Sequence, residues 1–112
     1  MSQITTHILD TTRGRPAANV TIALLEQVGD EWREMARGVT NSDGRIADLL
    51  PKESLLELGV YKLKFFTQEY FARDGIANFY PVVEIVFTVA SADHYHVPLL
   101  LNPFGYATYR GS

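Results

Sequence analysis

Ile4-Thr5-Thr6-His7-Ile8-Leu9-Asp10 alternates with a period of two and is rich in β-branched residues, the signature of a strand with one face in a core. Successive strand side chains point to opposite faces, so Ile4, Thr6 and Ile8 share one face and Thr5, His7 and Leu9 the other. Arg13-Gly14-Arg15-Pro16 ends this run. Outward from it, Val20 to Gln27 and Trp32 to Val39 flank the turn residues Gly29-Asp30 and read as a hairpin. Asn41-Ser42-Asp43-Gly44 is a second turn, and it puts Arg45 at the start of a short strand. Pro51 to Leu58, with Pro in a first turn, Leu55, Leu56 and Leu58 apolar and Gly59 as a stop, predicts one short helix. Tyr61 to Thr67 and Val82 to Val89 read as strands, with a loop over residues 68 to 80. Tyr95 to Leu101, the turn Asn102-Pro103-Phe104-Gly105, and Tyr106 to Tyr109 form a closing hairpin. About eight strands and one helix predict an all-β antiparallel sandwich or barrel.

The 112 residues are 46% hydrophobic and 21% charged, an ordinary globular balance that predicts one domain over residues 1–112. The ten Lys and Arg are scattered and the net charge is only -3, which argues against a nucleic-acid partner. No apolar run approaches the roughly 18 residues of a membrane span. Met1-Ser2-Gln3 leads directly into the first strand without an apolar export region, so the expected compartment is the cytoplasm, or the periplasm if an export signal was removed. With no cysteine, neither disulfides nor thiolate metal sites are available.

The chain end carries the most chemistry. His94-Tyr95-His96 precedes a tight hairpin that runs to Tyr109-Arg110-Gly111-Ser112, and a turn centred near Pro103-Phe104 places His96 roughly opposite Gly111 and close to Tyr109. Imidazole can take a proton from water, guanidinium can hold a carbonyl or oxyanion by a planar fork, and a phenol can donate a hydrogen bond. Those are hydrolytic roles. Taken singly, each residue has a blander reading: a strand histidine is more often a hydrogen-bonded structural residue, Arg45 a solvated side chain, and Tyr106 or Tyr109 packing. His94 and His96 point the same way and could begin a zinc site, but two ligands without a third are weak evidence, and no metal is expected. The motifs of serine hydrolases, P-loop proteins, dinucleotide enzymes and zinc proteases are missing from the sequence.

His94-Tyr95-His96-Val97-Pro98-Leu99-Leu100-Leu101, Pro103-Phe104-Gly105-Tyr106 and the terminal Tyr109-Arg110-Gly111-Ser112 together resemble the C-terminal signature of 5-hydroxyisourate hydrolases, a transthyretin-like family. Thr6-His7-Ile8-Leu9-Asp10 with Gly14-Arg15-Pro16-Ala17 is similar to that family's N-terminal motif, and Asp43-Gly44-Arg45 to its internal one. The resemblance spans nearly the whole chain. It implies a transthyretin-type sandwich assembled as a homotetramer, a dimer of dimers, with active sites in the channel between dimers. It also implies water-driven ring opening of 5-hydroxyisourate to 2-oxo-4-hydroxy-4-carboxy-5-ureidoimidazoline in urate catabolism, without metal or organic cofactor. By the same resemblance His7, Arg45 and His96 are catalytic, and His7, Arg45, Tyr109, Arg110, Gly111 and Ser112 bind substrate. Hormone-carrying transthyretins lack these histidines, the arginine and the terminal tetrapeptide. A non-catalytic small-molecule carrier is the competing function, and a plain interaction module explains least. Either His7 or His96 can serve as the base, with His7 preferred and His96 as an orienting or relay group.

Overall fold

The first strand folds as its alternation requires. In the computed structural model, which describes residues 2–112, β1 (Ile4–Asp10) buries Ile4, Thr6 and Ile8 while Thr5, His7 and Leu9 lie half-buried on the other face. It is followed by β2 (Arg15–Pro16), β3 (Thr21–Val28), β4 (Glu31–Val39), β5 (Gly59–Phe65), a helix α1 (Thr67–Ala72), β6 (Val83–Val89), β7 (Tyr95–Asn102) and β8 (Gly105–Thr108). Two four-stranded sheets result, ordered β2-β1-β7-β8 and β4-β3-β5-β6. Between them lies the core, with Ile4, Ile8, Leu99 and Leu101 from the first sheet against Ile22, Leu24, Leu63 and Phe65 from the second, all essentially inaccessible to solvent. Each such side chain contributes about 1.5–3 kcal/mol of burial free energy. None of the helices among the described residues is long and apolar enough to cross a membrane.

The sandwich is antiparallel except at one pair. β1 runs parallel to β7, with Ile4 opposite Tyr95, Thr5 opposite His96 and His7 opposite Pro98. Parallel neighbours need a long crossover, and here the whole second sheet supplies it. The hairpins match the sequence expectation closely: Val28 pairs with Glu31 across Gly29-Asp30, and Asn102 with Gly105 across the last turn.

The helix is not where the sequence places it. Pro51 to Leu58 is non-helical: Glu53 takes a left-handed backbone (φ 72°), and the amide of Ser54 donates to the Pro51 carbonyl at 3.1 Å in a single turn. The amides of Leu50 and Leu56 donate instead to the side chains of Ser2 (3.2 Å) and Gln3 (2.8 Å). Leu55 and Leu58 are 61% and 69% exposed and only Leu56 packs against the core, so the three leucines do not form the buried face a helix here would need. The expected loop 68 to 80 instead contains most of α1, which buries Thr67, Tyr70 and Phe71 at helical spacing and is followed by Gly75 in the left-handed region (φ 65°). The Tyr70 hydroxyl donates to the fully buried Asp10 carboxylate at 2.7 Å, tying the helix to the end of β1.

Arg45 is likewise not in a strand: it makes an isolated antiparallel bridge to His7. The turn before it is tightly specified. The Asn41 side-chain oxygen accepts from the amides of Asp43 (2.9 Å) and Arg45 (3.1 Å), and the Ile8 amide donates to the Gly44 carbonyl at 2.9 Å. Gly44 is left-handed (φ 72°), and a Cβ there would sit 2.5 Å from the Ile8 carbonyl oxygen. Gly44→Ala is expected to lower the unfolding free energy by about 1–3 kcal/mol from backbone strain and contact, measured by urea denaturation.

Candidate active site

Two backbone bridges converge on one face of the β1–β7 pair. One joins His7 to Arg45, and the other joins His96 to Gly111, whose amide donates to the His96 carbonyl at 2.9 Å. The second is the register that the closing hairpin predicted. Between them opens a cavity of about 720 Å³, whose walls include His7, Arg45, His96, Tyr109, Gly111 and Ser112. It is therefore built from β1, the Asn41 turn, β7 and the terminal residues beyond β8.

Arg110 is not in this cavity. Its guanidinium lies over the Tyr95 ring at 4.5 Å, in a separate cleft of about 310 Å³ where the open edges of the two sheets meet. Tyr109, just beyond β8, lines both clefts, whereas Gly111 lines only the first. At Gly111 the chain end lies against the imidazole: a Cβ there would come within 2.4 Å of His96 Cδ2 and 3.4 Å of Pro98 Cγ. Only a glycine lets the backbone approach the ring so closely. Thr108, whose hydroxyl donates to the Pro98 carbonyl at 2.7 Å, holds the same segment down.

Six further residues line the cavity that sequence reasoning did not assign to it, among them Thr5, Asn41 and His94. Thr5 shares a face with His7, so alternation carried a signal, although nothing in a single strand distinguishes a functional hydroxyl from a solvated one. Its Oγ1 lies 2.8 Å from His94 Nε2 and 2.9 Å from His96 Nδ1. The two imidazoles stack with centroids 6.4 Å apart. Among the described residues no group of three or more His, Cys, Asp or Glu side chains is arranged to hold a metal ion.

Burial holds the His7 imidazole below its ordinary value of 6.5, and the Arg45 charge pushes it further down, against the opposing pull of Asp43. His96 is lowered by burial first, then by Arg45, His94 and His7, while the Thr5 carbonyl pulls the other way. Both histidines are thus neutral at pH 7, each with a ring nitrogen able to accept a proton. Beside them Arg45 supplies a fixed positive fork, so the cavity combines a proton acceptor with a site for negative charge.

A sequence model of the HIUase/Transthyretin family matches residues 4–111. The chain is 46% identical to the mouse 5-hydroxyisourate hydrolase, covering 99% of this chain and 96% of that protein. Among solved structures, Klebsiella pneumoniae 5-hydroxyisourate hydrolase aligns with a TM-score of 0.86 at 39% identity, covering 97% of this chain and 98% of that one. Sea bream transthyretin in complex with thyroxine aligns with a TM-score of 0.91 at 34% identity, covering 98% and 95%.

The lowered histidines set a pH dependence. Below 6.5 the unfolded chain binds more protons than the folded one, so stability falls as pH drops through 6.5 towards the folded midpoints of His7 and His96. NMR titration of the ring protons should place both midpoints below 6.5 and move both upward in Arg45→Gln; midpoints unmoved by that substitution would show that Arg45 does not act on them.

Proposed function

The chain belongs to the HIUase/Transthyretin family, and from that premise we propose that it hydrolyses 5-hydroxyisourate to 2-oxo-4-hydroxy-4-carboxy-5-ureidoimidazoline in urate catabolism. The observation that carries this reading is the convergence of His7, Arg45 and His96 on one cavity through two backbone bridges. In the proposed mechanism His7 takes a proton from water as its oxygen attacks the ring carbonyl. Arg45 holds the planar ligand and the oxyanion that develops, acting where charge appears in the transition state. His96 orients the ligand and moves a proton to the leaving nitrogen, so the C–N bond breaks without expelling an anion. Tyr109, Gly111 and Ser112 complete the binding wall, and Arg110 contributes by anchoring this segment through its stack on Tyr95. The mechanism invokes no metal or organic cofactor.

A carrier function has one observation in its favour, the TM-score of 0.91 to a transthyretin solved with thyroxine. That score describes backbone shape, which carrier and hydrolase share; His7, Arg45 and His96 are the groups a carrier has no use for.

We further propose that residues 1–112 work as one hydrolase domain in the cytoplasm, and that the protein assembles as a homotetramer, a dimer of dimers. β6 and β8 are outer strands of their sheets, and Val86 and Tyr106 on them are 57% and 42% exposed, the kind of edge a neighbouring subunit covers.

With 5-hydroxyisourate generated by urate oxidase, the protein should accelerate its ultraviolet decay above the spontaneous rate. Arg45→Ala should lower kcat/KM by about 100-fold or more. Decay at the spontaneous rate with folded wild-type protein would favour the carrier. Light scattering should give a mass four times that of the 12.6 kDa chain, and a monomeric mass would exclude the tetramer.

A further inference from the structure

Thr5 occupies an unusual position for a hydroxyl. It bridges two imidazoles from β7 and the residue just before it, at 2.8 Å from His94 Nε2 and 2.9 Å from His96 Nδ1. A hydroxyl has one proton, so in a bridge of this kind it donates to one nitrogen and accepts from the other. His94 is exposed and His96 half-buried, and both line the cavity, so the bridge joins its solvent-facing rim to its inner wall. The remaining nitrogen of His96, Nε2, has no protein hydrogen-bond partner among the described residues and belongs to a ring that lines the cavity.

We propose that His94 and Thr5 form a proton relay that feeds His96 during ring opening. The inference rests on the hydrolase reading above and extends it to two residues that act through His96, as positioning and relay groups. In the starting state His94 Nε2–H donates to Thr5 Oγ1, and the Thr5 hydroxyl donates to His96 Nδ1. That arrangement fixes His96 as the Nε2–H tautomer, with its proton available to the cavity.

The proton balance then closes. Water adds to the ring carbonyl carbon and gives one proton to His7. As the C–N bond breaks, the nitrogen takes the Nε2 proton of His96, Nδ1 takes the Thr5 proton, Thr5 takes the Nε2 proton of His94, and His94 Nδ1 takes a proton from solvent. His7 returns its proton to solvent and the new carboxylic acid ionises, so each turnover consumes one water and releases one proton net. When water refills the cavity, the reverse tautomer shift restores the chain.

The charges around the relay favour this direction. Burial, then Arg45, His94 and His7, disfavour a cationic His96, so the ring does not retain an extra proton and passes it on. On the outer side Asp93 adjoins His94, and Glu53 lines the shallow cleft that His94 shares, so negative charge stands where a proton enters.

The test compares Thr5→Val, Thr5→Ser and His94→Gln with wild type in the urate-oxidase-coupled assay, with ¹⁵N NMR of the imidazoles alongside. Gln at 94 can still donate a hydrogen bond to Thr5 but cannot pass a proton through itself, so it separates relay from positioning. Thr5→Val and His94→Gln should each lower kcat about tenfold or more with KM within about twofold, and Thr5→Ser should restore kcat. Wild-type His96 should show the Nε2–H tautomer and Thr5→Val a mixture. Free imidazole should partly rescue His94→Gln. If wild type is active and His94→Gln keeps wild-type kcat, or loses only KM, the relay is wrong and the hydrolase reading stands. A folded wild type without activity would instead remove the hydrolase reading itself.

Discussion

Parallel pairing of β1 with β7 is the constraint on which the site depends. In-register pairing from Ile4–Tyr95 to Asp10–Leu101 puts Thr5 beside His96 and sets His7 two residues along the same face. A slip of one residue would turn His7 into the core and Ile8 into the cavity. The register is held from inside by Ile4, Ile8, Leu99 and Leu101, so the hydrophobic core fixes the chemistry on the opposite face. The loops on either side, the Asn41 turn and the segment after β8, are then docked onto this pair by one backbone bridge each. Because the paired strands come from opposite ends of the sequence, the cavity takes shape only once most of the chain has folded.

How much of this was legible in the sequence follows from which forces are local. The alternation of Ile4 to Asp10 specifies a strand and its faces without reference to the rest of the chain. The turn at Pro103-Phe104 fixes the register of its hairpin, which is why His96 could be set against Gly111. Residues 51 to 59 mislead because Pro, three leucines and a glycine are also what a solvent-facing segment can contain; Gln3, far away in sequence, captures the Leu56 amide, and Ser2 the Leu50 amide just before the segment. In α1 the apolar signal was only Tyr70 and Phe71, too short to stand out until the sandwich supplied a surface for them. The approach of Arg45 to His7 is a single bridge between a turn and a strand, with no pattern in either to announce it. Resemblance to a family, not periodicity, brought these residues together beforehand.

Backbone shape and side-chain chemistry separate cleanly here. The same sandwich superposes on a thyroxine-bound transthyretin as well as on a 5-hydroxyisourate hydrolase, so the fold alone does not choose between holding a planar ligand and reacting with it. In the proposed reading that choice lies in a handful of groups on one wall, and glycines make room for them: Gly44 lets the turn close on Ile8, and Gly111 lets the chain end reach the His96 ring.

Arg45 has two effects that are thermodynamically one. Its charge lowers the proton affinity of His7 and His96, and in the proposed reaction the same charge holds the developing anion. Coupling between two binding events is reciprocal, so negative charge arriving at Arg45 must raise the proton affinity of both histidines by the same free energy with which their protonation favours that charge. As the oxyanion forms in the proposed reaction, the imidazoles become stronger bases at the moment one is accepting a proton from water. Once the charge leaves, they weaken and release it.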